Sequence, residues 1–385
     1  MLRRSHPTLR SAPLAALAVL VAATLAPAGP ASAAPRPGRD SAPVVTHVGP
    51  KSFAKRGPYA VGEATLALPG NDAAVEVWYP ARPAAVKGKP AAQYDVVDWL
   101  PEFVKGLLPA GASVGYPSGG VDDVPVAPGT FPLVVFSHGY AGFPAQSSFL
   151  TSWLATWGFV VAAPDQRSRD LAAVLGDKDD ATTDVEDLQA TISLMTKESA
   201  RRSGRFSGHI DATKVGAVGH SAGGGAVMAL AAADRRVDTF VAMAPATPDR
   251  LPRTPGLVLA GDADQIIVLS KIKRAYAALR GPKQLVVLTD AGHHAFSDLC
   301  EVGAGQGGLL EVANMLGFPV SEDMARLATD GCEAPDLPPT KSWPAVRQAT
   351  VAQLRYAFGF DRSRAGLAGL PAAYRGIVAS SKSSR

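Results

Sequence analysis

The spacing of apolar residues changes character along this chain. From residue 131 onward, short, mostly apolar runs alternate with longer segments whose apolar residues recur at three- and four-residue intervals. The short runs, at 131–136, 159–163, 215–218, 237–243, 257–259 and 285–288, read as strands, with 285–288 the last of them. The longer segments, at 147–156, 179–199, 223–233 and 268–279, read as helices, and 343–358 as a closing helix. Runs without polar alternation are expected where a strand is covered on both faces. Strands alternating with helices at this spacing imply right-handed βαβ units, so the pattern predicts an α/β fold: a mostly parallel twisted sheet with helices on both faces.

Before residue 131 the pattern differs. Strand-like runs at 60–61 and 64–68 are followed by the turn signal Gly70-Asn71-Asp72 and by an alternating run at 74–79, which predicts an antiparallel N-terminal edge. Residues 81–130 are rich in Pro and Gly and too long for a simple connection, so they read as an insertion with a short helix near 96–108. Residues 297–340, again broken by Gly and Pro, form a second insertion. No internal repeat is visible. One domain over 58–360 accommodates all of this.

The two ends carry different signals. Arg3, Arg4 and Arg10 precede an apolar stretch at 14–25 and the small residues Ala31-Ser32-Ala33, the pattern of a secretory signal peptide over 1–33, cleaved after Ala33. The apolar stretch is too short to span a bilayer, so stable membrane insertion is not expected. Residues 34–57 read as a linker or leader. Residues 361–385, with Arg362, Arg364, Arg375, Lys382 and Arg385, read as a solvated, frayed basic tail. The formal charge of +4 rests largely on the three arginines of the N-terminal segment, which argues against a nucleic-acid partner. A monomer is expected.

The chain has two cysteines, Cys300 and Cys332. In an exported protein they are expected to pair, closing a loop worth ~3–4 kcal/mol on the chain-entropy model. Neither lies at zinc-ligand spacing, so no metal and no cofactor are expected.

Chemistry enters at Gly219-His220-Ser221-Ala222-Gly223. This G-x-S-x-G follows Val215-Gly216-Ala217-Val218 and precedes a helix-forming run, the setting of a nucleophile elbow. Alone it is a weak signal in a glycine-rich chain. Serine also needs a base, held in the right tautomer by an acid. Asp262 and Asp264 both follow the run at 257–259. Asp264 is preferred because the Gly261 turn carries it past the strand end, whereas Asp262 suits a loop cap. His293 and His294 both follow the run at 285–288, and His293 is preferred as base. An oxyanion hole needs two donors. The Ala222 amide and the Tyr140 amide of Ser137-His138-Gly139-Tyr140 are the candidates, with the His138 ring read as structural.

These segments together resemble the α/β-hydrolase superfamily, in the branch of plasma-type platelet-activating-factor acetylhydrolases and actinobacterial cutinase-like polyester hydrolases. Phe131-Pro132-Leu133-Val134-Val135-Phe136-Ser137-His138-Gly139 and His293-His294-Ala295-Phe296-Ser297-Asp298 are similar to the acetylhydrolases. Arg56-Gly57-Pro58-Tyr59-Ala60-Val61, Gly139-Tyr140 with Gln146-Ser147-Ser148, and Gly158-Phe159-Val160-Val161 are similar to the polyester hydrolases. The resemblance implies a Ser221, His293, Asp264 triad, oxyanion amides at Tyr140 and Ala222, and cofactor-free hydrolysis of short to medium acyl, lipid-like or polyester esters by a secreted enzyme. Two positions depart from the polyester hydrolases: Ala222 stands where they carry methionine, and Ala244-Pro245-Ala246-Thr247 lacks their clamp tryptophan. A peptidase or thioesterase using the same triad, or a non-catalytic binding protein on the same scaffold, are the other functions this constellation allows.

Overall fold

Ten strands form one sheet in this computed structural model, which describes residues 43–70, 73–176, 182–315 and 320–384. The signal-like segment at 1–33 and the first part of the leader lie outside the described residues, as do Asn71 and Asp72 of the expected turn and the start of the helix expected at 179. In chain order the strands are β1 (Ala60–Ala67), β2 (Ala74–Ala81), β3 (Gln93–Asp95), β4 (Gly115–Pro117), β5 (Val121–Asp122), β6 (Phe131–Ser137), β7 (Val160–Pro164), β8 (Ile210–His220), β9 (Val237–Met243), β10 (Gly256–Gly261), β11 (Lys283–Leu288) and β12 (Val378–Ser384). The large sheet runs β12-β11-β10-β9-β8-β6-β7-β2-β1-β5, and β3 pairs with β4 apart from it. From β11 to β7 every neighbour is parallel. The β7–β2 and β2–β1 pairs are antiparallel, giving the N-terminal edge its expected sense.

The uninterrupted apolar runs have a direct cause. All residues of β6, β7 and β10 are buried, and successive side chains of β6 enter two different cores. Leu133 and Val135 pack with Leu188 and Ile192 of α2 (Asp184–Ala200), Val227 and Leu230 of α3 (Ala222–Ala233) and Ile272 of α4 (Leu269–Ala278). Val134 and Phe136 pack on the other face with Leu150 and Leu154 of α1 (Ser148–Thr156) and Val346 and Leu354 of α7 (Pro339–Ala357). With helices covering both faces, no strand position on this stretch faces water. At the start of α2, the Thr183 hydroxyl and the Glu186 carboxylate cap each other's backbone amides.

Both ends of the domain extend beyond the sequence reading. The basic C-terminal segment is folded: β12 pairs antiparallel with β11 along residues 378–384. Without it, β11 would present an open row of backbone donors and acceptors. Only Val378 of β12 is buried, so polarity hid a strand whose main contribution is backbone pairing. The end of the leader is core rather than linker. Phe53 is fully buried, its ring lies 4.9 Å from Trp157 edge-on, and its amide donates to Gln348 Oε1 at 2.7 Å.

Within the first insertion, beside β3, β4, β5 and a helical turn at Pro83–Val86, two short turns of helix stand in place of the one helix expected near 96–108. A 3₁₀ turn at Val96–Trp99 stops at Leu100, and a separate turn, Glu102–Lys105, begins after Pro101. Proline lacks an amide donor and disfavours helical geometry at the residue before it, which splits the run. Trp99 stacks on Phe143 at 4.7 Å, seating this insertion on the loop after β6. The second insertion carries α5 (Leu309–Met315) and α6 (Glu322–Thr329). The expected disulfide joins Cys300 to Cys332, with their Cα atoms 5.1 Å apart. Among the described residues, no helix is long and apolar enough to cross a membrane.

The chain leaves β6 toward β7 on one side and returns to β8 on the other. Such a reversal of strand order opens a crevice beyond the carboxyl ends of the two strands. The loop after β6 and the turn after β8 meet there.

Candidate active site

Ser221 is the first residue after β8, at φ 57° and ψ −120°. A side-chain-bearing residue is strained at positive φ, and such strain persists only where the surroundings impose it. Three backbone bonds do so: Ser221 N to Met243 O at 2.8 Å, Ala246 N to Ser221 O at 2.9 Å, and Gly225 N to Ser221 O at 3.2 Å. The flanking glycines are required by contact. A Cβ on Gly223 would lie 2.2 Å from Ser137 O, and one on Gly219 would lie 2.3 Å from Gly223 O. The turn sets Ser221 at the start of α3, and the Ala222 amide lies in the first turn, where no intrahelical carbonyl is available.

The structure joins two of the sequence-derived candidates directly. His293 Nδ1 lies 2.9 Å from Asp264 Oδ2, and both side chains are buried. Asp264 Oδ1 accepts the amides of Ile266 and Ile267 at 2.9 and 2.7 Å. With the carboxylate fixed by backbone donors, His293 Nδ1 donates and Nε2 is left as the free lone pair. His293 Nε2 is buried without a hydrogen-bond partner. Ser221 Oγ and His293 Nε2 are not hydrogen-bonded here; the serine reaches the imidazole's neighbourhood through His220, whose ring packs 4.6 Å from that of His293. Catalytic hydrogen bonds in unliganded sites are often long and tighten with substrate. The two alternates have other partners. Asp262 Oδ1 accepts the Asp290 amide at 2.7 Å, as a loop cap. His294 contacts Ser297 Oγ through Nδ1 at 2.9 Å and the Leu327 carbonyl through Nε2 at 2.6 Å. Burial, together with the neighbouring His293 imidazole, lowers the His294 pKa to about 4, so its ring is neutral at ordinary pH.

Five polar residues given no role in the sequence reading, Arg169, Gln146, His220, Asp298 and Asp330, hold this arrangement. Arg169 is buried under the loop after β6. Its Nη1 donates to the carbonyls of His138 and Gly139 at 2.5 and 2.7 Å, while its Nε pairs with Asp184 at 2.7 Å. In a trans peptide the amide opposes the carbonyl. Drawing the Gly139 carbonyl inward therefore turns the Tyr140 amide outward. The His138 ring accepts the Gln166 amide at 3.0 Å and is structural. Gln146 Oε1 accepts the Gly139 amide at 3.1 Å, so its Nε2 donates to His220 Nδ1, also at 3.1 Å. His220 Nε2 then donates to the His293 carbonyl at 3.1 Å. Burial first, and then the neighbouring imidazoles of His293 and His294, lower the His220 pKa well below the usual value, keeping this relay neutral.

Asp298 accepts the amides of Ser148 and Phe149 at 2.5 and 3.1 Å, capping α1 from 150 residues away. Asp330, from the second insertion, accepts the His293 amide with one oxygen and the Gln265 amide with the other. The available signal for Gln146 was its place in Gln146-Ser147-Ser148, one of the segments that resemble the polyester hydrolases. No local pattern marks Asp330. Among the described residues, no group of His, Cys, Asp and Glu could hold a metal ion.

A family model described as PET hydrolase-like matches residues 107–336. The chain is 31% identical over 185 residues to a bis(hydroxyethyl) terephthalate hydrolase of Streptomyces coelicolor, covering 44% of this chain and 50% of that protein. It is 29% identical over 181 residues to cutinase 1 of Thermobifida cellulosilytica, covering 42% and 64% of the two chains. A cutinase of Thermobifida fusca is likewise 29% identical, with 42% and 56% covered. The chain thus spans between half and two thirds of the length of these relatives. The family match extends over more than half of the chain, from inside the first insertion to near the end of the second, on a fold of the same class. This protein belongs to the PET hydrolase-like, cutinase-like family of α/β-hydrolases.

Proposed function

We propose that this protein is an exported serine carboxylic ester hydrolase, with Ser221 as nucleophile, His293 as general base and acid, and Asp264 as the group that orients the imidazole. The observations that carry this reading are the buried Asp264–His293 pair, whose Nε2 has no partner, and the packing of that imidazole against His220, the residue before a serine held at positive φ. Ser221 Oγ attacks the ester carbonyl carbon while its proton passes to His293 Nε2. The tetrahedral oxyanion is met by the amides of Tyr140 and Ala222, and the positive end of α3 adds to its stabilisation. Collapse breaks the ester C–O bond, and the proton on Nε2 goes to the departing alcohol. Water, deprotonated by the same imidazole, then releases the carboxylic acid and restores Ser221.

The substrates proposed are short to medium acyl esters, including lipid-like esters and polyester fragments. The hydrolase and cutinase activities for which the relatives are named support an ester bond of this kind. Ala222 and Ala246, small beside the nucleophile, favour an aliphatic over an aromatic acyl group. The Cys300–Cys332 disulfide supports an oxidising compartment, in accord with the signal-like N-terminus. A monomer that needs no cofactor completes the reading. A fluorophosphonate probe should label the wild-type protein and leave Ser221→Ala unlabelled; equal labelling of the two would remove Ser221 from the role. Matched ester, thioester and amide substrates should be turned over with the ester fastest, and release from the amide alone would point to a peptidase.

A further inference from the structure

Beside the crevice lies a cavity of about 370 Å³, within the size range of small-molecule sites. Its walls come from both insertions. Val97 and Leu100 belong to the first, Leu309, Ala313 and Ala328 to the second. Among the described residues lining it, only Tyr140, Ser321 and His294 carry hydrogen-bonding side-chain atoms beyond a thioether, and none is an acid, lysine or arginine. Both His294 nitrogens are engaged by Ser297 and Leu327, so they offer nothing to a ligand. A space with such walls rejects charge and holds water poorly; its natural occupant is hydrocarbon.

We infer that this cavity receives the aliphatic acyl chain of the substrate, making the protein selective for medium-chain acyl esters. The inference rests on the ester hydrolase reading above. Its position assigns the half of the ester that enters. Tyr140 and Ala141 of the loop after β6 line the cavity, and the Tyr140 amide is the donor proposed to face the carbonyl oxygen. The acyl chain begins at that same carbonyl carbon. The departing alcohol must instead lie against His293 Nε2, and His293 is not part of the cavity wall. Tyr140 is half-exposed, which places it at the mouth. The first insertion adds the exposed Phe103 and Leu107, three and seven residues beyond Leu100, as apolar surface next to the wall residues in sequence.

The test is kcat/KM of the purified protein on p-nitrophenyl acetate, butanoate, octanoate, palmitate and benzoate, beside an alcohol series of ethyl, n-butyl and n-octyl acetate. Each buried methylene contributes up to about a fourfold gain. Octanoate is expected to exceed acetate at least tenfold, with no matching gain from the octyl group of n-octyl acetate. Ala313→Trp, which fills the cavity from the second insertion, should lower the octanoate-to-acetate ratio at least tenfold. Val97→Trp, filling it from the first, should do the same and covers the case in which one variant fails to fold. Hydrolysis of acetate with a flat or falling acyl series, a preference for benzoate, or a gain along the alcohol series would each overturn the acyl pocket while leaving the hydrolase reading intact. No turnover of any ester, with no fluorophosphonate labelling, would overturn the hydrolase reading itself.

Discussion

The Asp330 carboxylate accepts the backbone amide of His293, 37 residues away in the chain. Its other oxygen accepts the Gln265 amide at 3.1 Å, and its carbonyl accepts the His294 amide at 3.0 Å. One residue of the second insertion therefore holds the loop of the proposed base and the loop of the proposed acid in register. Leaving a buried amide without its acceptor costs ~1–3 kcal/mol. Asp330→Ala is expected to lower kcat roughly ten- to hundredfold with little change in KM, because it disturbs the imidazole rather than the substrate contacts. Asp330→Asn, which keeps one acceptor oxygen, should fall between. Steady-state kinetics on a p-nitrophenyl ester check this, and a change confined to KM would contradict it.

The disulfide should matter for rate as well as stability. Cys332 lies two residues from Asp330, and Gly331 packs against Gly292 so closely that a Cβ on Gly292 would fall 2.4 Å from Gly331 Cα. Opening the Cys300–Cys332 loop is expected to lower stability by ~3–4 kcal/mol. It should also reduce kcat in the direction of Asp330→Ala. Thermal melts and rates of the Cys300→Ser, Cys332→Ser double variant test both expectations. An unchanged rate would mean that the insertion stays clamped without its covalent tie.

The two aspartates after β10 should separate cleanly. Asp264 touches the His293 imidazole, whereas Asp262 caps only the Asp290 amide. Replacing the acid that fixes the imidazole tautomer lowers kcat by roughly four orders of magnitude in a related triad. Asp264→Asn is expected to approach that loss and Asp262→Asn to stay within a fewfold of wild type. The reverse order would transfer the role to Asp262.

Arg169 orients the Tyr140 amide by holding the carbonyls of His138 and Gly139. A lysine cannot reproduce the planar fork that reaches both carbonyls and Asp184 together. Arg169→Lys is expected to lower kcat about tenfold or more, with the pH profile unshifted because the base is untouched. Equal kcat in the two proteins would show that the loop keeps its shape without the guanidinium.

Acid should weaken the fold through His294. Its pKa is about 4 in the folded protein against an ordinary 6.5, chiefly through burial. Between those values the unfolded chain binds more protons than the folded one, so stability is lost as pH falls from about 6.5 toward 4. A shift of this size corresponds to on the order of 3 kcal/mol. His294→Gln should flatten the dependence between pH 7.5 and 4.5 in urea unfolding. His220, also lowered by burial, leaves some acid sensitivity in the variant. A dependence as steep as wild type would exclude His294 as a source.

Much of the fold was legible before any coordinates. The runs at 131–136 and 237–243 read as strands, the first of them buried, and β6 and β9 sit there in the sheet interior. Polar segments misled. β12 carries a single buried side chain, so its backbone pairing with β11 left no hydrophobic trace. Phe53 looked like part of a loose leader because one aromatic in a Pro- and Gly-rich stretch does not announce the partners waiting at Trp157 and Gln348.

By itself the sequence determined the chemistry on offer. It contained a serine between glycines after a strand, two acids and two histidines after later strands, and a pair of cysteines. Local rules suffice for this, since turn geometry and strand ends depend on neighbours in the chain. Tertiary structure decided which acid meets which imidazole, that Asp330, Gln146 and Arg169 hold the site, and that two separated insertions enclose one apolar cavity. Those contacts join residues tens to hundreds of positions apart. Their strength comes from burial and hydrogen-bond direction, which exist only after the chain has closed on itself.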